Sequence, residues 1–156
     1  MQLDMNEMLA KNHFNFILNT IVFCAVGFVL PAFTAIGLLG LQMLLTMMGV
    51  ECSGAWKIIW VLSWIGLITA PIVFIRYVTV IPEQKLSRLK LYLILFNLFE
   101  YVFIQAGLAS LITNGQTLCY VSDGQNGLEL VFTAWIGLPI LFAFSLYFSK
   151  ISMVEK

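Results

Sequence analysis

Two charged residues stand inside stretches of the chain that are otherwise apolar and uncharged. These residues are Glu100 and Arg76. A charge within a membrane-spanning helix costs a few kcal/mol or more, so it marks a functional site by default. Asn97 precedes Glu100 by three residues, which places both side chains on one face of a helix, and Gln105 follows further along. These residue types predict a polar binding face that points into a helix bundle.

Arg76 is the expected partner of Glu100. The two apolar stretches that carry them are joined by a short loop, so their helices should pack antiparallel. Arg76 and Glu100 then differ in depth within the membrane by roughly 6 Å, a distance that one arginine side chain can cover. We therefore expect a structural ion pair. Two alternatives stay open, namely a proton or ion relay through Glu100 and a contact with a polar group of a partner membrane protein.

The cysteines predict one covalent link. Cys52 and Cys119 both fall in segments predicted to lie outside the membrane on the same, oxidising side, so they are candidates for a disulfide. The alternative is a redox pair that exchanges disulfides. Such pairs typically occur as Cys-x-x-Cys, which this chain lacks. Cys24 lies in the first apolar stretch and is interpreted as a small apolar residue.

Other chemistry-bearing patterns are missing from the sequence. His13 is the single histidine, and one histidine without a cluster of cysteines or carboxylates makes no metal or haem site. There is no glycine-rich phosphate loop, nucleophile elbow or His-Glu-x-x-His helix. We therefore expect no enzyme activity, no cofactor and no metal.

The composition indicates which elements position these residues. The 156-residue chain is 61% hydrophobic and 10% charged, whereas soluble domains carry about 25% charged residues. This difference predicts an integral membrane protein. The apolar runs lack the alternation of a membrane barrel, so the fold class is all-α. We predict a single domain, a bundle of four transmembrane helices at about 16–37, 58–80, 91–113 and 130–149.

The first apolar run extends without a charge from Phe14 to Val50. A straight helix of that length would exceed about 50 Å, and two crossings with a turn would not fit. Our interpretation is one span followed by an interfacial or re-entrant segment at 38–50. A later span, Ala25 to Met48, is an alternative, and a five-span arrangement would need a tight turn. The residues able to kink or break this run are Gly27, Pro31, Gly37 and Gly40.

The basic residues predict the orientation. In the four-span arrangement seven of the eight lysines and arginines lie on or near one side, and only Lys57 lies on the other. Basic residues concentrate on the cytoplasmic side of membrane proteins. We therefore expect a multi-pass protein of the inner (plasma) membrane with both termini in the cytoplasm. The seven residues are Lys11, Arg76, Lys85, Arg88, Lys90, Lys150 and Lys156.

The favoured function is interaction with another integral membrane protein, as an accessory subunit or an inhibitor. Gly66 with Ala70, and Ala106 with Ser110, predict close helix contacts within the bundle or in a homo-oligomer. In size and layout the chain is similar to immunity proteins against pore-forming colicins, which implies an immunity or exclusion role. The alternatives are a small oligomeric transporter or channel using Glu100 and a membrane thiol or quinone oxidoreductase. Zero net charge gives no reason to expect a nucleic acid partner.

Overall fold

The structure is a computed structural model that describes residues 15–80, 86–112, 119 and 128–154. These ranges contain five helices. No strand occurs in these ranges, and this confirms the all-α fold class. The helices are α1 (Phe16–Val29), α2 (Pro31–Met47), α3 (Cys52–Val80), α4 (Leu86–Ile112) and α5 (Leu128–Val154).

Three of these helices, α3, α4 and α5, are each long and apolar enough to cross a membrane. The pair α1 and α2 adds a fourth crossing if the two act as one broken span. Both α3 and α4 begin before their predicted bounds, and α5 extends past its bounds at both ends, because hydropathy marks the apolar part of a helix rather than its ends. Thr113, the last residue of the third predicted span, lies outside the described residues, as does His13.

The first apolar run is broken at Leu30, where the axes of α1 and α2 bend by 72°. The first helix, α1, ends at Val29, eight residues before the end of the predicted span of about 16–37, and the chain continues as α2. Pro31 has no backbone N–H to donate to the Gly27 carbonyl oxygen, and it suits the first position of α2. With 14 and 17 residues, α1 and α2 are about 21 and 26 Å long, and neither alone crosses about 30 Å of hydrocarbon.

The break leaves backbone carbonyls of α1 without their helical partners, and α4 and α5 supply two replacements. The Tyr101 hydroxyl donates to the Gly27 carbonyl oxygen at 3.1 Å. The indole Nε1 of Trp135 donates to the Phe28 carbonyl oxygen at 3.4 Å. Because lipid offers no water to satisfy such groups, neighbouring helices must do so. The bend is therefore supported by residues distant in sequence.

The core is layered along the bundle. At the end where α1 begins, aromatic rings of α3, α4 and α5 pack together, with Phe74 and Phe96 stacked at 4.8 Å between centroids. Tyr101 and Ile104 occupy the middle layer with residues of α5. At the opposite end α2 contributes Ala35 to a cluster with α3, α4 and α5. Many large apolar side chains on the outer faces stay exposed, which is compatible with a multi-pass membrane protein.

The predicted disulfide is present. Cys52, the first residue of α3, is joined to Cys119, and their Cα atoms are 5.8 Å apart. The amide of Gln42 on α2 donates to the Cys52 sulfur at 3.2 Å. Gly49 makes the preceding turn with φ of +91°, a conformation that favours glycine. The disulfide therefore fixes the end of the bundle where α2 meets α3.

Candidate functional site

Asn97 and Glu100 lie on the face of α4 that points into the bundle, as predicted. Their exposed fractions are 1% and 0%. Leu93 and Ile104, one turn to either side, are also fully buried. The Asn97 amide donates from Nδ2 to the hydroxyl oxygen of Thr20 on α1 at 3.2 Å. This face is therefore enclosed by the chain's own helices.

The Glu100 carboxylate has no hydrogen-bond partner among the described residues. Neither Oε1 nor Oε2 is paired, although both are buried. An ionised carboxylate held this way would cost several kcal/mol, far more than a paired one. A bound proton or another cation would neutralise this charge. The residue type and the absence of a partner make Glu100 the centre of the candidate site.

The expected ion pair with Arg76 is not formed. Arg76 is exposed, and neither carboxylate oxygen of Glu100 has a partner in the described part of the chain. The packing of α3 on α4 explains the difference, because Tyr77 meets Tyr92 with ring centroids 4.3 Å apart. This register places Arg76 beside residues 93 and 94, about 10 Å along the helix from Glu100. The gap is larger than the roughly 6 Å expected, and the guanidinium lies on an outer face.

Ser145 on α5 belongs to the same region. It is 1% exposed and its Oγ has no partner among the described residues. Contacts of Phe96 with Phe144 and Phe148 put Ser145 at the level of Asn97. Side chains lean toward the N-terminus of their helix. Because α4 and α5 are antiparallel, the Glu100 and Ser145 side chains lean toward each other's level.

We call Thr20, Asn97, Glu100 and Ser145 the polar layer. Its four oxygen-bearing side chains come from three helices, and each is at most 1% exposed. Asn97 and Glu100 were predicted from the sequence as binding residues, whereas Ser145 and Thr20 were not. Helical periodicity could have identified both residues as buried, because Thr20 lies one turn from the core residue Phe16 and Ser145 lies one turn from the core residue Leu141.

Gln105, the fourth predicted binding residue, lies apart from the polar layer. Its amide donates from Nε2 to the Leu130 carbonyl oxygen at 2.7 Å, while its Oε1 has no partner among the described residues. The hydroxyl of Thr133 shares that carbonyl at 3.0 Å. Gln105 therefore ties α4 to the first turn of α5, at the end of the bundle away from Asn97.

A second candidate feature is the side of α2 that faces away from the bundle. We call it the α2 outer face. Its two glycines, Gly37 and Gly40, have no atom within 4 Å of where a Cβ would stand. Its larger side chains are among the most exposed in the chain, with Phe33 at 77%. The α2 outer face comprises Phe33, Ile36, Gly37, Gly40, Leu44 and Met47.

Together the geometry offers an enclosed polar layer and an open apolar face containing glycines. The first can bind a small cation, and the second can accept another helix. Comparison with protein-family models, with curated proteins and with solved structures found no match for this chain.

Proposed function

We propose that this chain is a small inner-membrane protein that binds another integral membrane protein through the α2 outer face. In this proposal it acts as an accessory subunit or as an immunity protein against a pore-forming toxin. The observation that carries the proposal is the open space over Gly37 and Gly40. Helices in lipid associate by close packing at small residues, because burying apolar surface gains nothing there.

The other glycines of the crossing helices make this observation specific. A Cβ at Gly66 would meet the Phe103 ring at 2.5 Å, and one at Gly27 would meet Leu138 at 3.2 Å. Gly107 and Gly137 likewise face side chains of neighbouring helices within 4 Å. These four glycines let helices of the chain approach one another. Gly37 and Gly40 have the same chemistry without an internal neighbour, so a partner helix fits there.

The proposed arrangement in the membrane is four crossings, with α1 and α2 as one broken span and both termini in the cytoplasm. Arg88 and Lys90 near the start of α4, and Lys150 near the end of α5, support this orientation. The disulfide at the opposite end is consistent with it, since disulfides persist in oxidising compartments such as the periplasm. Lys11, Lys85 and Lys156 lie outside the described residues.

Photocrosslinking in native membranes tests the proposal. A photoreactive phenylalanine derivative replaces Phe33 on the α2 outer face, and a control probe replaces Phe132, which is 53% exposed on α5. We expect capture of one heterologous membrane protein from position 33 and not from position 132. Capture of a second copy of the chain, equal capture at both positions or capture of lipid alone would contradict the proposal.

A blocking variant sharpens the experiment. Gly37→Leu with Gly40→Leu fills the open space, since no neighbouring helix among the described residues comes within 4 Å of a Cβ at either position. The variant should therefore fold normally and lose the crosslink. Met43→Leu, a volume-conserving change at an exposed position of α2, should keep it. An undiminished crosslink in the double variant would show that the glycines are not the contact.

A second candidate function, an oligomeric transporter or channel, is favoured by the unpartnered Glu100 carboxylate. Buried acids of this kind mark ion and proton pathways in membrane proteins. Flux of protons or sodium ions into liposomes containing only this purified chain would support it. The flux should disappear in Glu100→Gln while the variant remains monodisperse. No flux above that of empty liposomes would exclude transport by the chain alone.

A further inference from the structure

Three buried oxygen atoms of the polar layer have no partner among the described residues: both carboxylate oxygens of Glu100 and the hydroxyl of Ser145. The Thr20 hydroxyl and the Asn97 amide, hydrogen-bonded at 3.2 Å, complete the layer. All of these groups can act as oxygen ligands, and hard monovalent and divalent cations prefer such ligands. We propose that the polar layer is a binding site for one monovalent cation, a proton on Glu100 or a sodium ion shared by the four side chains.

The net charge of the polar layer determines the valence of the cation that it binds. Glu100 is its single ionisable member, so one monovalent cation makes the site neutral. A divalent ion would leave a net positive charge in the bundle interior, which costs several kcal/mol. The other titratable or charged side chains on the described parts of the helices around Glu100 do not pair with either of its carboxylate oxygens. Those nearest along the helices are Cys24, Arg76, Tyr77, Tyr101 and Tyr147.

Side-chain direction brings the ligands together. Glu100 leans along α4 toward the level of Asn97, and Ser145 leans along the antiparallel α5 in the opposite sense. Thr20 already contacts Asn97 from α1. Three helices therefore aim oxygen atoms at one level of the bundle, and the one carboxylate supplies the charge.

The test uses the full chain, purified and reconstituted into lipid nanodiscs, and the reagent dicyclohexylcarbodiimide. This apolar reagent enters membranes and adds to a protonated carboxyl, and the product rearranges to a stable acylurea on that residue. Intact-mass and peptide mass spectrometry then give the labelling rate of Glu100. The rate is measured from mildly acidic to alkaline pH, in choline chloride and in sodium chloride of equal ionic strength.

We expect labelling of Glu100 that slows as pH rises, on the order of tenfold per pH unit once the carboxyl loses its proton. Slower labelling in sodium chloride than in choline chloride would identify sodium as a ligand. Equal rates in the two salts, with the pH dependence kept, would identify the proton alone. A labelling rate that changes with neither pH nor sodium, or no labelling of Glu100 at any pH, would overturn the proposal.

Variants that retain Glu100 separate a cation site from a structural role. Ser145→Ala and Thr20→Val should change the labelling rate at a fixed pH and salt by about three- to tenfold, the factor that one hydrogen bond is worth. Ser63→Ala is the matched control, because Ser63 is 4% exposed and its hydroxyl donates to the Ile59 carbonyl oxygen within its own helix, α3. Equal profiles in all three variants would show that Glu100 binds its cation without the layer.

This inference does not rest on the proposed partner interaction or on transport. Gly37→Leu with Gly40→Leu should abolish the crosslink and leave the labelling of Glu100 unchanged. A site that binds a cation without liposome flux would still be a binding site. Failure of either proposed function is therefore distinguishable from failure of the cation site.

Discussion

Replacing glycine by alanine at Gly66 and at Gly37 should change stability in opposite directions. A Cβ at Gly66 would stand 2.5 Å from the Phe103 ring, closer than carbon atoms can pack. The ring is half-buried and stacks on Phe99 with centroids 6.3 Å apart, so moving it disturbs a second contact. Overpacking of this kind costs about 1–3 kcal/mol. At Gly37 the space is open, and the gain in helix propensity is up to about 1 kcal/mol.

The free energy of unfolding of both variants can be measured by titration with sodium dodecyl sulfate, followed by circular dichroism in mixed micelles. The two midpoints should lie on opposite sides of the wild-type value. The comparison is internal, because both substitutions add the same methyl group to a helix in the same protein. Equal midpoints for the two variants would refute the packing of Gly66 on α3 against Phe103 on α4. They would also refute the contrast between the filled space at Gly66 and the open space at Gly37.

Three further predictions concern single contacts. Tyr101→Phe should lower the free energy of unfolding by about 1–3 kcal/mol, because it leaves a buried carbonyl at the break unpaired, whereas Tyr147→Phe at an exposed site should not; equal effects in the same titration would argue against support of the break by this bond. Arg76→Gln should change the free energy of unfolding by less than about 0.5 kcal/mol, because Arg76 makes no ion pair with Glu100. A loss of about 3 kcal/mol or more in the same titration would instead indicate that the ion pair forms. Cys52→Ser should remove a link across 67 residues and cost up to about 4 kcal/mol by loop entropy; thermal unfolding with and without reductant measures this, and an unchanged midpoint would leave the bond without a stabilising role.

The helices and the disulfide could be predicted from the sequence because the helices depend on local hydropathy and the disulfide on which side of the membrane each cysteine lies. Apolar runs of about 20 residues, interrupted only by Arg76 in α3 and by Glu100 in α4, define these two helices and α5 whatever surrounds them. The disulfide followed from Cys52 and Cys119 being predicted on one side of the membrane. Buried positions of Asn97 and Glu100 followed in the same way, since polar side chains avoid lipid.

Two features depended on packing that the sequence does not encode locally. The first apolar run contained several residues able to break a helix, and hydropathy could not select among them. The break lies at Leu30, where Tyr101 and Trp135 from distant helices accommodate the freed carbonyls. The partner of Glu100 depended on helix register, which the ring contact of Tyr77 with Tyr92 reports. An offset of a few residues was enough to separate Arg76 from the carboxylate.

One structural cause accounts for both candidate features. A straight helix through Pro31 would continue the second half of the run along the axis of the first half. The 72° bend instead turns α2 away from the axis of α1, so that its inner face packs on α3, α4 and α5 and its outer face, at Gly37 and Gly40, meets no neighbouring helix among the described residues. The first half stays within the bundle and contributes Thr20 to the polar layer. Interior and exterior sites thus arise from the two halves of one broken run, which is why each can be altered without the other.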